Sequence, residues 1–303
     1  MSEQLQFRRK FDFSQLPKGW RVIRCAVDWN GNPILLVREG KPPEPRSDAA
    51  MEVRIDWLNA PPKAHHLIYW DGTSRHVLTF EQSSALTIWH AQPLNDGWIL
   101  CEARGGRAVV YDREGKPENT LDLGDASEDV QTTPGGKIWV SYFDEGVYRS
   151  GIGQGQGVVC FDSLGRPIFK YFDFAEQHQL PFIDDCYAMN VVSEDEVWLS
   201  YYSAFPLVSI RAFELQQVWK EFGCMKDAFG IFQGAVVFPK CYTRVHEEGA
   251  QLLRRTLSET PQTELIEAID DSGRTIVGPF TAAARGPHFY LWTESALYEM
   301  VST

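Results

Sequence analysis

Acidic residues recur at intervals through the middle of the chain: Glu128-Asp129, Asp184-Asp185 and Lys226-Asp227. Each pair precedes a short apolar stretch. Carboxylates gathered from three separate segments supply hard oxygen ligands. Asp129, Asp185 and Asp227 are therefore candidates for holding Ca²⁺ or gripping a cationic group. The competing reading is local, because an Asp carboxylate readily accepts neighbouring backbone N–H groups in turns. Alignment on the following apolar stretch sets Asp129 against Ala188 rather than Asp185, so both readings stay open. Gln131, two residues after Asp129, is a further polar candidate.

The segment 144–157 has glycine at positions 151, 153, 155 and 157. A dinucleotide fingerprint needs a strand before such glycines and a helix after them. Here the strand-like Val158-Val159-Cys160-Phe161 follows, which excludes nucleotide binding of that kind. The segment instead reads as a mobile loop offering Asp144, Glu145, Tyr148 and Arg149 to a ligand, or as a plain insertion. Tyr142, Tyr201 and Tyr202 end apolar stretches and could stack a ligand or pack. His246, beside Glu247 and Glu248, could act as a general base or be a solvated loop residue. The seven histidines show no zinc-binding spacing, and no Gly-x-Ser-x-Gly elbow occurs.

These residues sit in a repeat. Val130-Gln131, Ile138–Tyr142, Val158–Phe161 and Ile168–Phe174 read as four strands, and Ala188–Val192, Val197–Tyr202, Leu207–Arg211 and Gln217–Phe222 repeat the order. The second strand is the clearest anchor, recurring near Ile34, Trp98, Ile138, Val197, Val236 and Phe289. Spacing of about 40–60 residues suits four-stranded blades with insertions. Aromatic-Asp followed by Gly marks hairpins at Asp71-Gly72, Asp112 to Gly115 and Asp162 to Gly165. Trp98, Trp139 and Trp198 read as equivalent packing residues. A short helix is expected over 174–180, and Lys41–Ser47 reads as an exposed Pro-rich loop.

The expected fold is all-β: a six-bladed β-propeller in one domain, 1–303, with seven blades as the alternative. Approximate blades are 20–80, 85–123, 127–174, 184–222, 227–270, and 274–303 completed by 5–13. The N-terminal strand, alternating from Leu5 to Phe13, would join the last blade and close the ring. Loops entering the inner strands, and loops between second and third strands, would share one face, the channel mouth.

At Gly135-Gly136-Lys137-Ile138-Trp139-Val140-Ser141-Tyr142 the sequence resembles the repeats of bacterial two-component-regulator-type propellers, and the wider streptogramin-lyase-like and gluconolactonase-like group. The architecture is of the WD40-like repeat kind. That resemblance implies the fold and a bacterial source, and transfers no catalytic residue.

The formal net charge of −12 disfavours nucleic acid and anionic membranes as partners. The first residues lack the apolar region of a signal peptide, no apolar run approaches the ~20 residues of a membrane helix, and the six cysteines are scattered. A cytoplasmic protein with reduced, buried thiols is expected, a monomer without cofactor. Its function is expected to be binding a small molecule or protein segment at the mouth. The alternative is a metal-assisted hydrolase or lyase of the lactonase-like type, built on Asp129, Asp185 and Asp227.

Overall fold

The computed structural model describes residues 3–40, 64–81, 86–102, 104–225, 227–240 and 250–301. Four sheets of four strands follow one another, each in simple sequence order: β2–β5 (Trp20–Glu81), β6–β9 (Ile88–Asp122), β10–β13 (Ser127–Lys170) and β14–β17 (Asp185–Trp219). A fifth, eight-stranded sheet runs β18-β19-β20-β21-β1-β24-β23-β22, with β1 at Glu3–Asp12, β18–β21 within Gly230–Ile269 and β22–β24 within Phe280–Met300. Up-and-down four-strand units repeated in this way make a β-propeller.

The second strands β3 (Pro33–Glu39), β7 (Gly97–Glu102), β11 (Ile138–Tyr142), β15 (Glu196–Tyr202), β19 (Ala235–Pro239) and β23 (His288–Thr293) begin within one residue of the anchors read from sequence. They are apolar because both faces are covered. Ile138–Tyr142 is buried throughout, whereas the outer strand Ser74–Glu81 is mostly exposed. Apolar clusters lie between consecutive units. Leu94, Ile99 and Val110 pack on Val130, Ile138 and Val140, and Ala188, Trp198 and Leu207 pack on Phe229, Val236 and Phe238.

The hairpin aspartates cap their own turns. Asp112 Oδ1 accepts Glu114 N and Lys116 N, and Asp162 Oδ1 accepts Leu164 N and Arg166 N. Asp28 and Asp270 do the same without a preceding aromatic residue.

The N-terminal strand pairs with the C-terminal hairpin, Phe7 opposite Met300 and Asp12 opposite Ala296. It also pairs in parallel with β21, Glu3 opposite Ile266 through Gln6 opposite Ile269. Phe7 is fully buried and Phe11 nearly so.

Three expectations change. Trp98 is not equivalent to Trp139 and Trp198. It pairs with Tyr111 as Ile138 pairs with Phe161, so Ile99 holds the Trp139 position. A one-residue offset reverses the face: Trp98 packs toward the preceding sheet and Trp139 toward the following one. Strand β13 stops at Lys170 and a helix, α2 (Tyr171–His178), begins three residues earlier than read, burying Tyr171, Phe174 and Ala175 along one face. The glycine-rich segment opens with a short helix, α1 (Asp144–Tyr148). The Lys41–Ser47 loop lies outside the described residues.

Candidate functional site

Inner strands carry one open backbone edge, whose N–H and C=O groups need partners. Carboxamides, each both donor and acceptor, fill that need at equivalent register positions. Gln92 faces Ile99, Gln131 faces Trp139 and Asn190 faces Trp198. Gln92 Nε2 donates to Val27 O at 3.4 Å. Gln131 Nε2 donates to Met189 O at 3.0 Å while its Oε1 accepts Val191 N. Asn190 bridges to Phe229 O and to Gly286 N. Gln131, a ligand candidate from sequence, is thus buried and engaged in joining two sheets.

Nearer the mouth, the inner strands bulge at corresponding places: between Val22 and Arg24, Ile88 and His90, Ser127 and Asp129, and Asp185 and Ala188. A bulge re-aims side chains. His90, opposite Cys101, stands where Asp129 stands opposite Ser141. Arg24 reaches across the mouth, donating to Glu128 O at 2.8 Å and lying 3.6 Å from Asp129 Oδ1. Its guanidinium sits over the Trp89 ring, 5.7 Å from the centroid. Asp129 Oδ2 accepts Gln131 Nε2 at 2.8 Å, and Oδ1 accepts Val130 N at 2.9 Å.

The expected acids act on one centre, Glu128. Burial pushes its carboxyl up to about 8; Arg24 pulls the other way, and Asp129, Asp185 and Asp227 push it further up. Its Oε2 is buried without a hydrogen-bond partner. Burial likewise raises Asp129 and holds His90 well below the usual histidine range. Beside them lies a cleft of about 240 Å³, counting the part open to solvent, lined by Arg24, Trp89, His90 and Asp129 among others. Its enclosed space is only about 10 Å³, about the room one water needs.

Tyr142 and Tyr201 point away from solvent. Both are fully buried. The Tyr142 hydroxyl donates to Leu123 O, and that of Tyr201 meets Tyr171 OH at 2.6 Å and Pro181 O at 3.1 Å. Strand alternation explains the split with Tyr202, which is 45% exposed. Tyr202 stacks near Tyr187, and Phe205 packs against both.

In the glycine-rich segment, Tyr148 OH donates to Asp184 Oδ1. Glu145 pairs with Arg104 at 3.1 Å and Arg149 with Asp125 at 3.8 Å, while Asp144 Oδ1 accepts Glu145 N at 2.7 Å. The glycines admit close packing: a Cβ on Gly153 would meet the Tyr142 ring at 3.0 Å, and one on Gly157 would meet Ile183 at 2.3 Å. His246 lies outside the described residues. Among the described residues, no three His, Cys, Asp or Glu side chains are grouped to hold a metal.

Sequence reasoning did not single out Arg24, Trp89, His90, Tyr187 or Phe205. One signal was present: His90-Ala91-Gln92 repeats the spacing of Asp129-Val130-Gln131.

A model of the YxzG family matches residues 158–300. No curated protein sequence matches the chain. Among solved structures, the chain resembles Hsv2 from Kluyvelomyces marxianus at 8% identity, over 93% of this chain and 77% of that one, with a TM-score of 0.50. It also resembles a gluconolactonase, XC5397 from Xanthomonas campestris, at 10% identity over 94% and 95% of the chains, TM-score 0.46. A chain of a nidogen/laminin complex follows at 7% identity over 77% and 82%, TM-score 0.48. At such identities the likeness is one of fold alone.

Proposed function

We propose that this protein is a six-bladed propeller that works as a binding module through its mouth. Splitting the eight-stranded sheet at the β21–β1 junction leaves two further four-strand units, β18–β21 and β22–β24 with β1. Apolar clusters join the last unit to both its neighbours. What supports the binding reading is the electrostatic influence of Asp129, Asp185 and Asp227 on the half-buried Glu128, with Asp185 paired opposite Tyr202, which packs with Tyr187 and Phe205. Charged groups and exposed aromatic rings together favour recognition of a small molecule or protein segment. A monomeric cytoplasmic protein without a required cofactor belongs to the same reading.

The test is thermal shift against a panel of cationic, neutral sugar-derived and anionic compounds. A ligand at one hundred times its Kd adds about 2.7 kcal/mol. Stabilisation by one class, lost in Asp185→Asn and Tyr202→Ala and kept in the distal Glu118→Gln, is expected. Equal stabilisation of the mouth variants, or none by any class, would overturn it.

The second reading is metal-assisted hydrolase or lyase chemistry on Asp129, Asp185 and Asp227, with Ca²⁺ as the candidate ion. It draws on the same three acids, which among the described residues are not grouped closely enough to hold a metal. Metal analysis of purified protein, with and without Asp129→Asn, separates the two readings.

A further inference from the structure

We infer that the mouth face carries a docking surface for an arginine-bearing protein segment, formed by the rings of Tyr148, Phe182 and Tyr202 around Asp184. This rests on the binding-module reading above and names its partner.

Exposure carries the first step. Most aromatic rings of the chain pack within or between sheets. Among the described residues only three Phe, Trp or Tyr side chains are exposed: Tyr148 at 67%, Phe182 at 47% and Tyr202 at 45%. They come from separate elements. Tyr148 ends α1, Phe182 precedes the inner strand that opens at Asp185, and Tyr202 ends the second strand Glu196–Tyr202. Asp184 ties them together. Its Oδ1 accepts the Tyr148 hydroxyl, its N–H donates to Tyr202 O at 2.9 Å, and it follows Phe182 by two residues. That hydrogen bond holds the Tyr148 hydroxyl above the usual tyrosine range, and the nearby charges of Asp184, Asp144 and Tyr202 add to it. Partly buried rings support the exposed ones. Phe172 stacks on Phe182 at 4.7 Å, and Phe205 stands edge-on to Tyr202 at 5.6 Å. Rings fixed in this way lose little freedom on binding, and gathered exposed apolar surface marks an interaction site.

Shape and charge choose the partner. The three rings lie on open surface, and the cleft beside Trp89 encloses room for about one water, so a small molecule finds no enclosure at either place. A chain lying across the surface covers it instead. The surroundings are negative. Asp144 and Asp184 bear on Tyr148, and Asp185 lies opposite Tyr202. The cations at hand are already engaged, Arg104 with Glu145 at 3.1 Å and Arg149 with Asp125 at 3.8 Å. A guanidinium answers both features at once, because its face stacks on a ring while its N–H fork grips a carboxylate. A lysine ammonium offers only a point charge. The fold uses the same stacking internally, with Arg75 over the Phe11 ring at 4.8 Å and Arg255 over that of Phe222 at 4.9 Å.

Fluorescence anisotropy with a labelled peptide of three arginines spaced by glycines, in about 0.15 M salt, tests the pairing. Peptides carrying lysine or citrulline in place of arginine separate its parts, since citrulline keeps the shape of arginine without the charge. The arginine peptide should bind, the lysine peptide several-fold more weakly and the citrulline peptide at least about tenfold more weakly. Tyr202→Ala and Phe182→Ala, both at exposed positions, should each weaken the arginine peptide about five- to tenfold with circular dichroism unchanged. Asp184→Asn, which still accepts the Tyr148 hydroxyl, should weaken it about tenfold, and Glu118→Gln on an outer strand should leave it unchanged. Absence of binding by the arginine peptide at about 1 mM overturns the inference. Binding that the two ring variants leave unchanged also overturns it, by assigning the attraction to diffuse charge alone. A lysine peptide that binds as tightly as the arginine peptide overturns the guanidinium assignment. A small molecule that stabilises the protein through the mouth while no peptide binds overturns this inference and leaves the binding-module reading standing.

Discussion

Glu128→Gln should stabilise the protein, increasingly so as pH rises. Its folded carboxyl lies near 8, against an ordinary glutamate value of 4.5. Below pH 4.5 both the folded and unfolded states hold the proton, and ionisation costs nothing. Above it the unfolded chain releases the proton while the folded protein retains it, so stability falls with pH until about 8 and then levels off. The folded pKa is raised, so the sign is opposite to that of a salt-bridged carboxylate. At about 1.4 kcal/mol per pKa unit, the full cost is on the order of 5 kcal/mol, about half of which accrues between pH 5 and pH 7. Glutamine is neutral throughout. Urea unfolding of both proteins at pH 5, 7 and 9 should therefore give a stability difference that widens by about 2–3 kcal/mol over the first interval and by about half as much over the second. A difference that stays flat with pH would refute the account of Glu128 as an acid whose ionisation is resisted first by burial and then by its carboxylate neighbours.

Phe7→Ala should cost about 3–5 kcal/mol in urea unfolding, because Phe7 is fully buried in the closing strand and packs edge-on against Phe289 at 6.4 Å. Asn190→Leu should cost about 1–3 kcal/mol for each inner-strand group left unpaired, Phe229 O and Gly286 N among them, with little change in far-UV circular dichroism. Cys25, Cys101, Cys160 and Cys186 are buried free thiols whose burial raises their pKa. In a Cys224→Ser, Cys241→Ser background, Ellman's reagent at pH 8 should leave them unreacted until denaturant is added.

The blades were legible because a second strand is sandwiched on both faces. That forces an apolar run such as Ile138–Tyr142, and the following hairpin needs an Asp and a Gly. The positions of the three acids were legible for a related reason: Asp129 and Asp185 lie on inner strands just ahead of those runs, and Asp227 just ahead of β18. The bulges were not legible, since no residue type demands one. They place Glu128 and His90 where they stand. Arg24 meets Glu128 across 104 residues of chain, a pairing that periodicity cannot show. Misplacing Trp98 by one residue also hid the match between His90 and Asp129. The fate of Tyr142 and Tyr201 turned on strand alternation, which separates Tyr201 from its exposed neighbour Tyr202.

The closing strand sets a schedule for synthesis. Arg8 and its partner Glu299 are 291 residues apart in sequence. At about 5–20 residues per second, β1 waits roughly 15–60 s for the hairpin it pairs with. During that interval β21 can recruit it by the parallel pairing alone, and an unpaired strand edge is a template for wrong partners. A circular permutant opened at Pro17–Gly19, with β1 relocated after β24, would be translated without that wait. The joint between the first and last strands is thus where the nascent chain is most exposed to misassembly.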